Sequence, residues 1–134
     1  MVKSSNITKN QLRMLSHSKG FHFYTAIGDY CGVSAHSLED FADALQYVCS
    51  ASIVFHFERG DFQNWIKEVI GDVELAQSID AIRTCERHRS AEFCRKEITE
   101  RVQVRLFQLE ANKLMSETQN TVNKVWSSRV AKPA

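Results

Sequence analysis

Residues 52–82 read SIVFHFERGDFQNWIKEVIGDVELAQSIDAI and combine aromatic side chains, turn residues and charges more densely than any other stretch. Two Gly-Asp pairs divide it, at Gly60-Asp61 and Gly71-Asp72. Glycine can adopt a positive φ where a helix ends, and an aspartate carboxylate can accept a free first-turn amide as an N-cap. The pattern therefore predicts helices that end at the glycines and restart at the aspartates.

The segment between the two pairs has the spacing of an amphipathic helix. Its apolar residues share one helical face: Phe62, Trp65, Ile66, Val69 and Ile70. A second apolar face follows the second pair: Val73, Leu75, Ala76, Ile79 and Ile82. We expect a helical hairpin closed by Gly71. Phe62 and Trp65 should anchor the core, because a buried aromatic removes roughly 150–250 Å² from water.

The segments before this hairpin are also mostly helical in pattern. A short helix is predicted over residues 4–18, followed by an aromatic run, Phe21–Ala26. That run has the composition of a strand, but no convincing partner strand is visible, so an extended aromatic arm is preferred.

A second helix should begin at an N-cap, Ser37, and end near Ser50. The ambiguous residues 50–58 are assigned to a short helix, with Ser50 or Ser52 as N-cap and Gly60 as its end.

From Arg83 about forty residues have a helical pattern without Gly or Pro. Unbroken, such a helix is roughly 60 Å long, which exceeds the dimensions of a compact domain of this size. It must bend back around residues 116–123, or a second chain must cover its far end. We favour a homodimer, with these interface candidates: Leu106, Leu109, Leu114, Met115 and Trp126.

Composition and charge restrict the class of protein. The 134 residues are 43% hydrophobic and 25% charged, as expected for one domain over residues 1–134. There is no apolar run of membrane-spanning length and no signal-like N-terminus, which favours the cytoplasm and no membrane contact. Residues 1–82 carry 6 Lys/Arg and 10 Asp/Glu (net −4), whereas residues 83–134 carry 11 and 6 (net +5).

This charge asymmetry suits either self-association or an anionic partner. A nucleic-acid-binding helix at residues 83–105 is the weaker alternative, because glutamates are interleaved with its arginines and the pI is about 7.7. The mixed charge there is typical of a solvated helix face with pairs such as Glu97 with Arg101.

Four cysteines (Cys31, Cys49, Cys85 and Cys94) are spread without a CxxC pair. The preferred interpretation is buried thiols, with no disulfide. Cys85, His88 and Cys94 could begin a metal site, but zinc needs four ligands, so no metal and no cofactor are expected.

The tripeptide FHF occurs twice, and each copy is followed by a short spacer and Gly-Asp-aromatic. If the two segments pack together, five side chains become weak candidates for ligand binding: His22, Asp29, His56, Arg59 and Asp61. Such a set could bind a metal or transfer protons. The preferred interpretation is structural, with histidines hydrogen-bonded in an aromatic core, aspartates capping helices and Arg59 paired with a neighbouring carboxylate or a helix C-terminal carbonyl.

The string FHF-x-RGDF-x-x-W-I-x-x-x-x-G-D-x-x-L-A, with Ser37-Leu38 and Phe41 before it, resembles an uncharacterised family of small helical archaeal proteins. The resemblance covers residues 21–82 and nothing beyond Arg83. It implies a small helical fold and no particular activity.

These patterns predict an all-α, helical-bundle-like fold of five or six helices, with a short extended aromatic segment. Residues 21–82 would form the body, and residues 83–126 a long C-terminal helix or helix pair. The predicted function is a non-enzymatic interaction or regulatory module acting as a homodimer. The alternative from another class is a small-ligand or metal-dependent enzyme with its pocket around His56 and Asp61.

Overall fold

The aromatic run after Gly20 forms a β-strand. In a computed structural model that describes residues 10–85 and 90–130, β1 (Phe21–Ala26) pairs antiparallel with β2 (Asp29–Ala35). The partner strand that the sequence did not reveal is therefore present, and the extended-arm prediction was wrong. The fold is mostly α with one two-stranded sheet in the described ranges, and the all-α prediction holds only in part.

Two glycines shape this hairpin. Gly28 has φ +84° in the turn, and Gly32 has φ +79° within β2. The pairing changes register between His22 and Tyr24, where β2 contributes two more residues than β1. This bulge interrupts the alternation of inward and outward side chains that marks a strand in a sequence, because a bulged residue leaves the ladder.

Five α-helices follow in the described part of the chain: α1 (Leu38–Tyr47), α2 (Ser50–Arg59), α3 (Asp61–Trp65), α4 (Val73–Asp80) and α5 (Ala91–Val130). A π-helical turn, Ile66–Ile70, continues α3 directly. Short 3₁₀ turns lie at His17–Lys19 and Ala81–Thr84. Of the helix predicted over residues 4–18, residues 1–9 lie outside the described ranges, and residues 13–16 are not helical.

The helix ends agree with the glycine signals and only partly with the predicted caps. Gly60 and Gly71 end their helices with φ +77° and +84°. Asp72 caps α4, since its Oδ1 accepts a hydrogen bond from the Leu75 amide at 3.1 Å. Asp61 caps no helix, because its carboxylate is bonded to other side chains.

The two serine-cap predictions had different outcomes. Ser37 caps α1 as predicted, with its hydroxyl accepting from the Asp40 amide at 3.0 Å. The Asp40 carboxylate in turn accepts from the His36 amide, one residue before the cap, at 2.9 Å. The cap of α2 is Cys49, without a side-chain bond, so the prediction of Ser50 or Ser52 was wrong.

The core is built around aromatic rings. Phe41 on α1 is fully buried, and its ring lies 5.0–5.9 Å between centroids from four other rings: Phe21, Phe23, Phe62 and Trp65. Aliphatic residues of α4 and α5 complete the core. The two anchors expected from the sequence, Phe62 and Trp65, are both buried. The hairpin, α1 and α3 therefore meet around one aromatic cluster.

Arginines tie α5 and the turn before it to this body. Arg95 donates to the Leu45 carbonyl at 2.7 Å, and Arg83 donates to the Phe57 carbonyl at 2.8 Å. Arg105 forms an ion pair with the buried Asp72 carboxylate, with its Nε 2.6 Å from Oδ2. These contacts hold the first half of α5 against α1 and α4.

Helix α5 continues unbroken through residues 116–123, so the alternative in which the chain bends back was wrong. Its start is Ala91, eight residues later than predicted, and residues 86–89 lie outside the described ranges. Every side chain from residue 117 to residue 127 is exposed. No helix in the described ranges is long and apolar enough to cross a membrane.

Candidate functional site

A cleft of about 630 Å³ lies beside β1, between that strand and helices α2 and α3. Its walls are mainly aromatic and aliphatic: Phe21, Tyr24, Ala26, Ile27, Phe55, Trp65 and Val69. Its polar and charged lining residues are His22, His56, Arg59, Asp61, Asn64 and Glu68. This volume is in the range of small-molecule sites, roughly 300–1,000 Å³.

His56 is the buried polar residue of this cleft, and both of its ring nitrogens are bonded. The Tyr24 amide donates to Nε2 at 2.8 Å, and Nδ1 lies 2.8 Å from Asp61 Oδ2. An amide N–H can only donate, so Nε2 carries no hydrogen and Nδ1 donates to the carboxylate. The ring is a neutral imidazole that joins α2 to β1.

Asp61 and Arg59 complete this group. The Asp61 carboxylate accepts from His56 and, at 3.0 Å, from Arg59 Nε. The Arg59 guanidinium also lies 4.8 Å from the centroid of the Phe55 ring. The left-handed Gly60 ends α2 and precedes α3, so the side chains at the end of one helix and the start of the next lie close together.

This geometry excludes His56 as a general base in the conformation described. A base needs a lone pair directed at a substrate proton, and the only lone pair on Nε2 is used by a backbone amide. His56 is 4% exposed, and burial lowers its pKa below the ordinary value even though Asp61 opposes that shift. The geometry therefore agrees with the structural role preferred for His56. It does not agree with the helix-cap role expected for Asp61, whose carboxylate bonds side chains instead.

Acid should destabilise the fold through His56. Its pKa is lower in the folded chain than the ordinary 6.5, so the unfolded chain binds more protons once the pH falls to that value. Its contribution to the unfolding free energy is complete above about pH 6.5 and is lost as the pH decreases toward the folded pKa, by at most about 1.4 kcal/mol per pH unit.

Urea unfolding between pH 8 and pH 5 measures this effect. A His56→Asn variant should be less stable at pH 8 and should show a smaller loss of stability on acidification. The control is Met14→Asn, which alters an exposed side chain without a titratable group and should keep the wild-type pH dependence. Equal pH slopes for His56→Asn and wild type would contradict this assignment.

His22 belongs to a different network, on the neighbouring face of the hairpin. Its Nε2 donates to the His17 carbonyl at 2.9 Å, and its Nδ1 lies 2.6 Å from the Ser34 hydroxyl. The Tyr30 hydroxyl lies 2.6 Å from the same Ser34 oxygen. This network links β1 to β2 through side chains. Neither Ser34 nor Tyr30 lines the cleft.

Three histidine rings cluster here, a feature that sequence reasoning missed. The centroids of His17 and His36 lie 4.7 and 6.3 Å from that of His22. Their positions in the chain gave no signal, because the cluster depends on the unpredicted pairing of β1 with β2. As arranged, no group of three or more His, Cys, Asp or Glu among the described residues could hold a metal ion.

The structure thus separates the five candidate ligand residues. His56, Arg59 and Asp61 form one bonded group, and His22 lies at the edge of the same cleft in the network described above. Asp29 is exposed at the start of β2 and does not line the cleft. The two FHF segments do pack together, since the Phe21 and His56 rings are 4.8 Å apart, but they form no joint carboxylate site.

The cysteines only partly match the prediction of buried thiols, since Cys31 and Cys85 are half-buried. None of the four, all within the described ranges, forms a disulfide. Cys94 is buried, but Cys49 is exposed, which corrects the prediction of four buried thiols. Burial raises the pKa of the Cys31 and Cys94 thiols, so neither has the thiolate character of a reactive cysteine. His88 lies outside the described residues.

The interface candidates fall on two different faces of α5. Leu109 is 1% exposed and belongs to the core of its own chain, and Leu106 packs partly against that core. Leu114, Met115 and Trp126 are 65–69% exposed. Leu109 is therefore unavailable to a partner chain and Leu106 is available only in part, because their side of α5 packs against the body.

Only some of the arginines between residues 83 and 105 belong to a solvated helix face. Arg83, Arg95 and Arg105 are bonded to the body, and Arg101 pairs with Glu97 at 3.0 Å, as its spacing predicted. Arg87 and Arg89 lie outside the described residues.

Comparisons of the chain with protein-family models, with curated proteins and with solved structures found no match.

Proposed function

We propose that the protein is a homodimeric interaction module that self-associates through the C-terminal half of α5. The observation that carries the proposal is an exposed apolar stripe along this helix: Val104, Phe107, Leu114, Met115, Val122, Val125 and Trp126, each 50–77% exposed. We call these seven residues the α5 stripe. Phe107 and Trp126 alone present roughly 300 Å².

The α5 stripe is a surface distinct from the core face of the same helix. At 3.6 residues per turn its members lie within about 120° of one another. The core residues of α5, such as Ile98 and Leu109, are centred about 150° away on the same wheel. Because the stripe points away from the body, residues of the same body do not cover it.

Its size fits a dimer interface. The stripe runs from residue 104 to residue 126, about 33 Å of helix. Its seven side chains present on the order of 700 Å² per chain, more than the roughly 300–600 Å² of the largest apolar patch on a typical monomer. It is close to the roughly 800 Å² per partner of a standard interface.

Charge favours a second copy in antiparallel orientation. On one edge of the stripe lie two glutamates and two lysines: Glu110, Lys113, Glu117 and Lys124. In an antiparallel pair the same edges meet in reversed direction, so in the register that overlaps the whole stripe Glu117 of each chain can face Lys113 of the other. The balanced charge disfavours an anionic membrane surface, which attracts helices with a basic polar face.

Introducing a charge in the α5 stripe should dissociate the dimer. Leu114→Glu removes a buried leucine from both copies and places two carboxylates in an apolar interface. We expect the dimer dissociation constant to increase on the order of 100-fold or more. Sedimentation velocity over a concentration series measures this, with circular dichroism to verify that helix content is retained.

The matched control is Asn120→Glu, which adds the same charge to the exposed opposite face of the same helix. It should leave the dissociation constant within about threefold of wild type, as expected of a surface substitution. If both variants associate like the wild-type chain, the α5 stripe is not the interface.

A further inference from the structure

We infer that the cleft beside β1 binds a small aromatic carboxylate, with the carboxylate on Arg59 and the ring system against the aromatic wall. The inference is independent of the proposed dimer, because no residue of the α5 stripe lines the cleft. It assigns binding and no chemical step, since the imidazole in the cleft is fully bonded.

The shape and lining of the cleft select the body of the ligand. Its volume of about 630 Å³ accommodates a bicyclic aromatic molecule with space for water. Four aromatic residues line it, Phe21, Tyr24, Phe55 and Trp65, of which Phe21 and Trp65 are almost wholly buried, and Ile27 and Val69 add aliphatic residues. Trp65 is held in place, because its Nε1 donates to the Lys19 carbonyl at 2.9 Å. Because this side chain is already fixed, a flat apolar ligand can bind against it without the entropic cost of immobilising it.

Arg59 selects the polar end. The Phe55 ring supports the guanidinium face at 4.8 Å, and Asp61 holds Nε at 3.0 Å. Within the described residues neither Nη atom forms a hydrogen bond, and the side chain is 48% exposed. The Nη end of a guanidinium fixed in this way presents two parallel N–H donors, the arrangement that binds a carboxylate in a bidentate manner.

The other charges of the cleft leave Arg59 as its anion site. The Asp61 carboxylate is already bonded to His56 and to Arg59. Glu68 is exposed and also lines an adjacent recess with two basic residues, Arg13 and Lys19. A carboxylate bound in the cleft would therefore be placed at the Arg59 end, away from the Glu68 carboxylate.

Calorimetric titration of the full chain with three matched probes tests the inference: 2-naphthoate, 2-naphthamide and 2-naphthylmethylammonium. The ring system is constant, and only the charge of the substituent differs. We expect 2-naphthoate to bind at least tenfold more tightly than the amide, and the ammonium to bind most weakly.

Arg59→Gln should weaken 2-naphthoate binding at least tenfold and leave the amide within about twofold. Arg59→Lys keeps the charge without the fork and should give an intermediate loss. Lys67→Gln removes an exposed positive charge that does not line the cleft, and it should bind like the wild type. Thermal melting verifies that each variant is folded.

Three results with the wild-type chain would overturn the inference. They are absence of 2-naphthoate binding at millimolar concentration, equal affinity for the acid and the amide, and tighter binding of the ammonium, which would assign the polar end to Glu68. An acid preference that persists in Arg59→Gln would also remove Arg59 from the site.

Discussion

Replacing Arg105 with methionine is expected to lower the free energy of unfolding by roughly 3–5 kcal/mol, the cost of leaving a buried charge without its partner. The Asp72 side chain is 1% exposed, and Arg105 contacts both of its carboxylate oxygens, at 2.6 and 3.3 Å. Methionine preserves most of the volume of the arginine stem, so the loss reports the charge. Urea denaturation monitored by circular dichroism measures it.

A second substitution separates charge from packing. Asparagine at position 72 can still accept the Leu75 amide as an N-cap but carries no charge. The double variant Asp72→Asn/Arg105→Met should therefore be more stable than Arg105→Met alone, by about 1–3 kcal/mol. Glu74→Gln, which alters an exposed carboxylate 3.7 Å from Arg105, should cost less than about 1 kcal/mol. A double variant less stable than Arg105→Met would contradict the buried-charge explanation.

Replacing Phe41 with alanine is expected to cost about 3–5 kcal/mol, because it empties the centre of the aromatic cluster. The Phe41 ring has no exposed surface and contacts two rings from β1 and two from α3: Phe21, Phe23, Phe62 and Trp65. Rings around such a cavity can move only partly into the space. Chemical denaturation at pH 8, where His56 is neutral, measures the loss.

Tyr47→Ala is the matched control for this substitution. Tyr47 lies on the same helix, α1, but is 67% exposed. Removing its ring should change the free energy of unfolding by less than about 0.5 kcal/mol. If Phe41→Ala and Tyr47→Ala cost similar amounts, the aromatic cluster is not the centre of the fold.

Local signals in the sequence predicted the helical part of the fold well. Gly60 and Gly71 end helices because each adopts a positive φ that other residues disfavour. Ser37 and Asp72 cap helices through side-chain oxygens, as their positions predicted. These signals act within a few residues, so they survive in a single sequence.

The β-hairpin could not be predicted from the sequence because its second strand is irregular. β2 contains Gly32 with φ +79° and a bulge, so its inward and outward residues do not alternate. Glycine is also disfavoured in strands, which lowers the propensity of this segment. The three-histidine cluster then escaped prediction as well, because its members meet only when β1 and β2 pair.

The candidate site was half predicted. The spacing His56-x-x-Arg59-Gly60-Asp61 marked the residues, but their partners depend on tertiary contacts. Asp61 bonds His56 and caps no helix, and a Tyr24 amide 32 positions earlier occupies the second imidazole nitrogen. A helical wheel separates the two apolar faces of α5, but which face the body covers follows only from the docking of α1 and α4 on it.

The molar mass of the unaltered chain in solution tests the central claim most directly. Light scattering coupled to size-exclusion chromatography, over a range of micromolar concentrations, should give twice the chain mass of 15.3 kDa. The mass should decrease to that of one chain for Leu114→Glu and remain doubled for Asn120→Glu. A wild-type mass of one chain at every concentration would contradict self-association through the α5 stripe.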